Sequence, residues 1–291
     1  MARMKQIWQS KLVLLAVLPF AAADVILQTH WWAEQAAPVA IWTAGLSTLL
    51  GLVTWKLRAA TPAAAFTGAT VTASLMFSTT TLPYEPWNTA LVPVLAVSLL
   101  AFASTRLGRK QKEQIGAAEG RFGRSASQVA ANLGMAAIVS NGMMQSWTMS
   151  TNWFAQSVSV PKVLFTVGLA ALAEAAADTV SSEIGQVFGG RPRMITTLRI
   201  VEPGRDGAVT LAGTISGVLA AGIVAGAGTA ALRGGLAMFT ISCASAVFGL
   251  FFDSLLGATL EERGWLNNDA VNFLSTASAA VLAMGVQVVI R

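Results

Sequence analysis

The chain has 291 residues, of which 54% are hydrophobic and only 11% charged, and its formal charge is +5. A soluble domain of this size carries about a quarter charged residues, so the composition excludes an ordinary soluble fold and indicates an integral membrane protein of many spans. The basic residues lie between apolar segments and form no single stripe, which argues against a nucleic-acid partner. One cysteine (Cys243) and one histidine (His30) exclude an internal disulfide and a Cys metal cluster, and argue against histidine catalysis.

A bilayer core about 30 Å thick is crossed by about 20 apolar helical residues. Nine segments qualify, at 10–29, 37–56, 62–82, 87–105, 126–147, 161–187, 208–231, 235–258 and 270–290. The first follows MARMKQIWQS, a basic start shared by signal peptides and retained first helices; it is read as a retained helix with a cytoplasmic N-terminus. The third is the least apolar, being rich in Thr, Ala and Gly. No segment alternates polar with apolar residues, so strands are not expected. The expected fold is all-α: a polytopic transmembrane bundle of about nine helices forming one membrane domain over 1–291, with 61–291 as its core.

Loop charges set the orientation. Arg3, Lys5, Lys11, Lys56, Arg58, Arg106, Arg109, Lys110, Lys112, Arg121, Arg124, Arg191, Arg193, Arg199, Arg205 and Arg263 fall on one side of a nine-span arrangement. Lys162, Arg233 and Arg291 fall on the other. The first side is therefore expected to be cytoplasmic, in a plasma or inner membrane. Trp8, Trp31, Trp32, Trp42, Trp55, Trp87, Trp147, Trp153 and Trp265 all lie near segment ends, where indole rings anchor at the interface. Gly213 with Gly217, Gly222 with Gly226, and the Ala run 170–177 are read as close helix packing. The connection 106–125 is expected to be helical in part. Its charge reads as a headgroup-facing surface; phosphate contact by Gly120, Arg121, Gly123 and Arg124 is the less favoured reading.

Acids inside apolar segments are costly, about 2.5–3.5 kcal/mol each at a helix centre even on insertion scales. The sixth segment keeps Glu174, Asp178 and Glu183. Glu174, Asp178, Ser181 and Ser182 share one helix face, whereas Glu183 is turned about 140° from Asp178. The eighth segment carries Asp253 near the same end. Two carboxylates from different helices make a candidate Mg²⁺–polyphosphate site, because Mg²⁺ takes one or two carboxylates and completes its shell with phosphate and water. The arginines of 188–207, Arg205 among them, can fork onto phosphate. Backbone N–H groups around Gly204 and Gly207 can cradle its oxygens, and the start of the seventh segment offers a helix N-terminus. Asn132 and Asn272 either bond across helices or orient a phosphate. Glu174, the deepest acid, reads equally as a structural group.

At these residues the chain resembles a known family. ADTVSSEIG, PRMITTLRIVEPGRDGAVTLAGT, FDSLLGATLEERG and NNDAVNFLST resemble the integral membrane family called domain of unknown function 92, as does GRSASQVAANLG. The likeness covers about 60–290, and the N-terminal 60 residues are less diagnostic. That family includes plant phytyl-phosphate kinase. The order Asp178, Gly185, Gly189, a basic loop with Thr197, then Asp253 and Ser254 is more distantly similar to CTP-dependent polyprenol kinases and CDP-diacylglycerol synthases. The resemblance implies that Asp178 and Asp253 hold metal or phosphate, with Glu183 in support and Arg199 on phosphate. The PGRDGAVT loop departs from the Gly-rich form expected there. The implied function is a Mg²⁺-dependent membrane kinase passing the γ-phosphate of CTP or ATP to an isoprenyl monophosphate (phytyl, geranylgeranyl or farnesyl). A CDP-lipid-forming nucleotidyltransferase is the alternative, and a transporter with an acidic path is the alternative of another class.

Overall fold

The structure, a computed structural model, describes residues 6–114, 120, 122–151 and 159–290. Arg3, Lys5, Arg121, Trp153 and Arg291, used above for charge and anchoring, lie outside the described residues. Each of the nine apolar segments forms a helix. They are α1 (Ile7–Gln35), α2 (Ala37–Lys56), α3 (Pro62–Ser78), α4 (Leu91–Arg106), α6 (Ala126–Ser140), α8 (Val160–Phe188), α9 (Leu211–Ala231), α10 (Leu236–Leu256) and α11 (Asn268–Val289). Two short helices join them: α5 (Arg109–Gln114) in the first basic connection, and α7 (Gly142–Ser150) after α6. Two-residue strands, β1 (Arg193–Met194) and β2 (Ala208–Val209), pair antiparallel inside the second basic loop, a small exception to the all-helical expectation.

Among the described residues six helices are long and apolar enough to cross a membrane on their own: α1, α2, α8, α9, α11 and α10 with the turn that follows it. α6 is 15 residues long, or about 22 Å. It breaks at Asn141, whose side chain accepts from the Met143 N–H at 2.6 Å and so starts α7. The Thr-rich α3 is buried over most of its length. Its hydroxyls are satisfied within the helix: Thr67 donates to the Ala63 carbonyl at 2.9 Å and Thr72 to that of Gly68 at 2.7 Å. Polarity that weakened this segment in the sequence is therefore silent in the fold.

α8 is the axis of the bundle. Its most apolar 18-residue window is 89% buried, against 22–39% for the other five long helices. The Ala run explains this, because in lipid helices associate by close approach of small residues and not by expelling water. A Cβ at Gly213 or Gly217 of α9 would come within 2.6 or 2.8 Å of the Ser181 or Ala177 carbonyl oxygen. α1 and α2 lie outside and expose Leu12, Leu15, Ile26, Ile41 and Leu49, as lipid-facing surfaces do.

The basic connections gather at one end. Arg106 Nη2 donates to the Leu57 carbonyl at 2.6 Å, Gln111 to that of Val187 at 3.1 Å, and Gln9 to that of Trp265 at 2.8 Å. At the opposite end Gln145 reaches the Ser78 carbonyl at 3.0 Å and Gln287 that of Val163 at 3.0 Å.

Candidate active site

Three acids from two helices meet beside the axis. Asp178 of α8 and Asp253 of α10 have carboxyls within hydrogen-bond reach of each other. Two carboxylates this close repel unless a proton or a cation lies between them. Glu174, one helical turn deeper, lies against Gly249, where an added Cβ would meet its Cγ at 2.5 Å; a glycine is what admits the acid. Ser275 of α11 faces Glu174 and Asp253, but its hydroxyl donates to the Asn272 carbonyl at 3.0 Å. Both Glu174 oxygens and Asp253 Oδ2 are buried with no hydrogen-bond partner.

Asp178 opens onto a polar cavity of about 740 Å³ at the basic end. α6 contributes Ser125, Gln128 and Asn132; α11 contributes Asn268, Asp269 and Asn272; Ser182 and Glu183 join Asp178 from α8. Two helices begin at this cavity. α6 starts with a capping box: the Gln128 N–H donates to Ser125 Oγ at 3.2 Å, and the Ser125 N–H to Gln128 Oε1 at 2.6 Å. α11 starts at Asn267, whose Oδ1 accepts from the Ala270 N–H at 2.9 Å. Both therefore turn the positive ends of their dipoles toward the space. Asn272 Nδ2 donates to Asn132 Oδ1 at 3.0 Å, joining the two helices across it.

Among the described residues Arg124 is the cation that lines the cavity. Its side chain faces Asp178, and Nη2 lies 3.4 Å from Thr179 Oγ1. Its backbone is fixed to the α2–α3 connection: the Arg124 N–H donates to the Ala59 carbonyl at 3.0 Å, and the Thr61 N–H donates to the Arg124 carbonyl at 3.0 Å. That close approach requires Gly123, which has φ +79 and no room for a Cβ, the Ala59 carbonyl carbon being 2.4 Å from where one would sit.

Other expected residues lie elsewhere. Glu183 borders the cavity, yet both its oxygens are engaged: Lys112 Nζ donates to Oε2 at 2.5 Å and Thr105 to Oε1 at 2.9 Å. Thr197, Arg199, Gly204, Arg205 and Gly207 line neither this cavity nor the apolar one beside it. Their loop folds away from the site onto the turn after α10. Gly207, at φ +75, packs against Ala258, and Arg205 Nε donates to Glu262 at 2.7 Å. The N-terminus of α9 borders neither cavity: its cap residue Thr210 packs on Gly185 and Gly189 of α8. The sequence underweighted two polar residues and missed a third. Arg124 stood only as a less favoured phosphate contact, among loop arginines that any such loop attracts. Ser275 stood only as a neighbour of Asn272 in the polar set of the ninth segment. Asp24, 1% exposed in α1, accepts from Ser74 at 2.6 Å; an acid in the first apolar segment was the available signal.

The donor set bears on the expected metal. Among the described residues no group of three or more His, Cys, Asp or Glu side chains is arranged to hold a metal by itself. Mg²⁺ asks for only one or two carboxylates when phosphate and water supply the rest. The Asp178–Asp253 pair, with Asp253 Oδ2 lacking any partner, fits that requirement.

Residues 45–280 match the family described as integral membrane protein DUF92. An uncharacterized membrane protein of Synechocystis is 32% identical over 209 residues, covering 69% of this chain and 74% of that protein. An uncharacterized membrane protein of Methanocaldococcus jannaschii is 38% identical over 116 residues, 40% of this chain and 48% of its own length. The chloroplastic protein VTE6 of Arabidopsis thaliana is 28% identical over 212 residues, 71% of this chain and 61% of the plant protein. The chain thus spans about half of the archaeal relative and under two thirds of the plant one. No solved structure matches it significantly. The chain belongs to the DUF92 family of integral membrane proteins.

Proposed function

We propose that this DUF92 member is a membrane phosphotransferase that passes the γ-phosphate of a nucleoside triphosphate, CTP or ATP, to an isoprenyl monophosphate. The observation that carries the reading is the polar cavity at one end of the bundle: Asp178, Arg124 and the starts of two helices line it, and Asp253 lies behind Asp178, within hydrogen-bond reach of it. The motif resemblance to a family that includes plant phytyl-phosphate kinase supports it. Phosphoryl transfer needs positioning and charge neutralisation more than covalent chemistry, and this cavity offers both.

Asp178 and Asp253 would hold Mg²⁺, which when bound would offset the negative charge of the phosphates. Arg124 would orient the phosphate next to Asp178, with the N–H groups at the starts of α6 and α11 facing the remaining oxygens. Asn132 and Asn272, bonded to each other, would keep those two helix starts in register. The acceptor needs no base: a phosphate monoester oxygen attacks the γ-phosphorus, the β–γ bridging P–O bond breaks, and the nucleoside diphosphate leaves with that electron pair. Glu183 would act by positioning, through Lys112.

The test is product analysis on purified protein in lipid, with Mg²⁺, ATP or CTP, and phytyl, geranylgeranyl or farnesyl monophosphate. The expected products are the prenyl diphosphate and a nucleoside diphosphate. Release of pyrophosphate would instead mark nucleotidyl transfer, and no product with any pair would refute the proposal.

A further inference from the structure

Beside the polar cavity lies a second of about 720 Å³, between α2, α3 and α4. α4 packs mainly on α8 and α9 and meets α3 only sparsely, which leaves the groove between them. Its walls are small or apolar: Leu50 from α2, Ala65, Gly68 and Ala69 from α3, Val97 and Ala101 from α4. At the basic end the lining changes to Arg58, Arg106, Arg109 and Arg124. Arg109 is paired with Glu113 at 3.0 Å. Among the described residues none of the ion pairs found involves Arg58, Arg106 or Arg124. Arg106 is braced, stacked 4.3 Å over Phe102 and bonded to the Leu57 carbonyl. An apolar slot closed at one end by a cluster of guanidinium groups is complementary to an amphiphile with a hydrocarbon tail and a phosphate head. The groove and the polar cavity share Gly120, Arg124, Asn132 and Thr179, so a head at the arginines would border the space onto which Asp178 opens.

Volume decides how many tails fit. At about 30 Å³ for each water-sized group, and taking a methylene as such a group, the groove has room for roughly two dozen carbons. That suits one isoprenoid chain of about twenty carbons and leaves no room within the groove for a second chain of that length.

We propose that the α2–α3–α4 groove is the site for a single-chain lipid monophosphate, with its tail between these helices and its phosphate at Arg58, Arg106 and Arg124, and that it excludes two-chain phosphatidates. The inference rests on the kinase reading for the identity of the acceptor, but binding is measurable with no nucleotide present.

The experiment measures binding of geranylgeranyl monophosphate, geranyl monophosphate and dioleoyl phosphatidate to the full chain in detergent, without nucleotide. Geranylgeranyl monophosphate is expected to bind about tenfold or more tighter than the phosphatidate. Ala69→Phe and Ser98→Phe each put a ring into the groove, from α3 and α4 respectively. Each should weaken geranylgeranyl monophosphate by about tenfold and the shorter geranyl monophosphate by less than about threefold. The Arg58→Gln/Arg106→Gln pair should weaken both monophosphates alike. Melting curves identify a variant that fails to fold, and the ring on the other wall then decides. Equal or tighter binding of the phosphatidate overturns the proposal, as does unchanged geranylgeranyl monophosphate binding in a folded ring variant, or no binding of either monophosphate. Turnover is scored separately: length-selective binding without diphosphate formation refutes the kinase reading and leaves the groove standing, whereas diphosphate formation with unaltered binding in the ring variants refutes the groove alone.

Discussion

At the scale of single residues the site is costly to the fold, and that cost can be measured. Asp178 and Asp253 sit within hydrogen-bond reach of each other, and Asp253 Oδ2 has no partner. Changing either to Asn keeps the shape and removes a like charge, so Asp178→Asn and Asp253→Asn should melt no lower than the parent protein while losing about a hundredfold or more in turnover. A drop in both melting temperature and activity would instead mark the pair as a structural contact. Glu174 is the harder case, 1% exposed with both oxygens unpaired. Glu174→Met keeps the volume and removes an unsatisfied group, so stability should be unchanged or higher; a loss of more than about 2 kcal/mol in unfolding experiments would mean that the acid has a stabilising partner in the folded protein. These acids were legible in the sequence because a charge inside an apolar run is rare. Arg124 was legible only as a less favoured phosphate contact, because its place beside Asp178 depends on pairing with Ala59 and Thr61, more than sixty residues earlier in the chain.

At the scale of elements, α5 acts as a clasp. Lys112, 1% exposed, spends its three donors on the Ser104 carbonyl at 2.7 Å, the Thr105 carbonyl at 3.2 Å and Glu183. It thus caps the last turn of α4 and ties it to α8. Breaking a buried pair from one side strands the other charge, so Lys112→Ala should cost about 3–5 kcal/mol. In a double-mutant cycle with Glu183→Ala the two losses should be strongly non-additive, the double variant losing much less than their sum. Additive losses would mean that the two side chains do not work as a unit. The loop 189–210 makes the contrasting case. Arg205 pairs with Glu262 where both are partly exposed, a contact worth about 0–1 kcal/mol. Arg205→Ala should therefore leave turnover within about threefold, while Arg124→Ala should lower it by about tenfold or more. Equal losses would bring the loop back into the site. The helices themselves were legible from run length and from flanking charge. The break at Asn141 was not: 126–147 reads as a single span in the sequence, and the break arises from a local cap and from the approach of Gln28 to Gly142. Nor was the loop's course legible, since glycines and arginines near a carboxylate in sequence are compatible with many placements in space.

At the scale of the whole molecule, the small-residue face of α8 gathers the other helices, and the two cavities follow from what it gathers. The polar space lies where α6, α8 and α11 meet, the apolar one where α4 leans toward α8 and α9 and away from α3. Both open at the end that carries Arg58, Arg106, Arg109 and Arg124. The sequence disclosed this end through its charge asymmetry, but neither cavity, because a cavity is a property of packing between segments. The arrangement implies a division of approach. Under the proposed function, a lipid acceptor would reach its groove from within the bilayer, and a charged nucleotide would reach the polar cavity from water on the basic side. Basic loops are retained on the cytoplasmic side, so in sealed membrane vesicles CTP or ATP should support product formation only from that face. Inverted vesicles should be active with added nucleotide, and right-side-out vesicles inactive until permeabilised. Cysteines placed at Lys110 and Glu85, in a Cys243→Ala background, should report opposite faces with an impermeant thiol reagent. Activity in intact right-side-out vesicles, with the Lys110→Cys label still protected, would put the nucleotide on the wrong side of this fold and remove the polar cavity as its site.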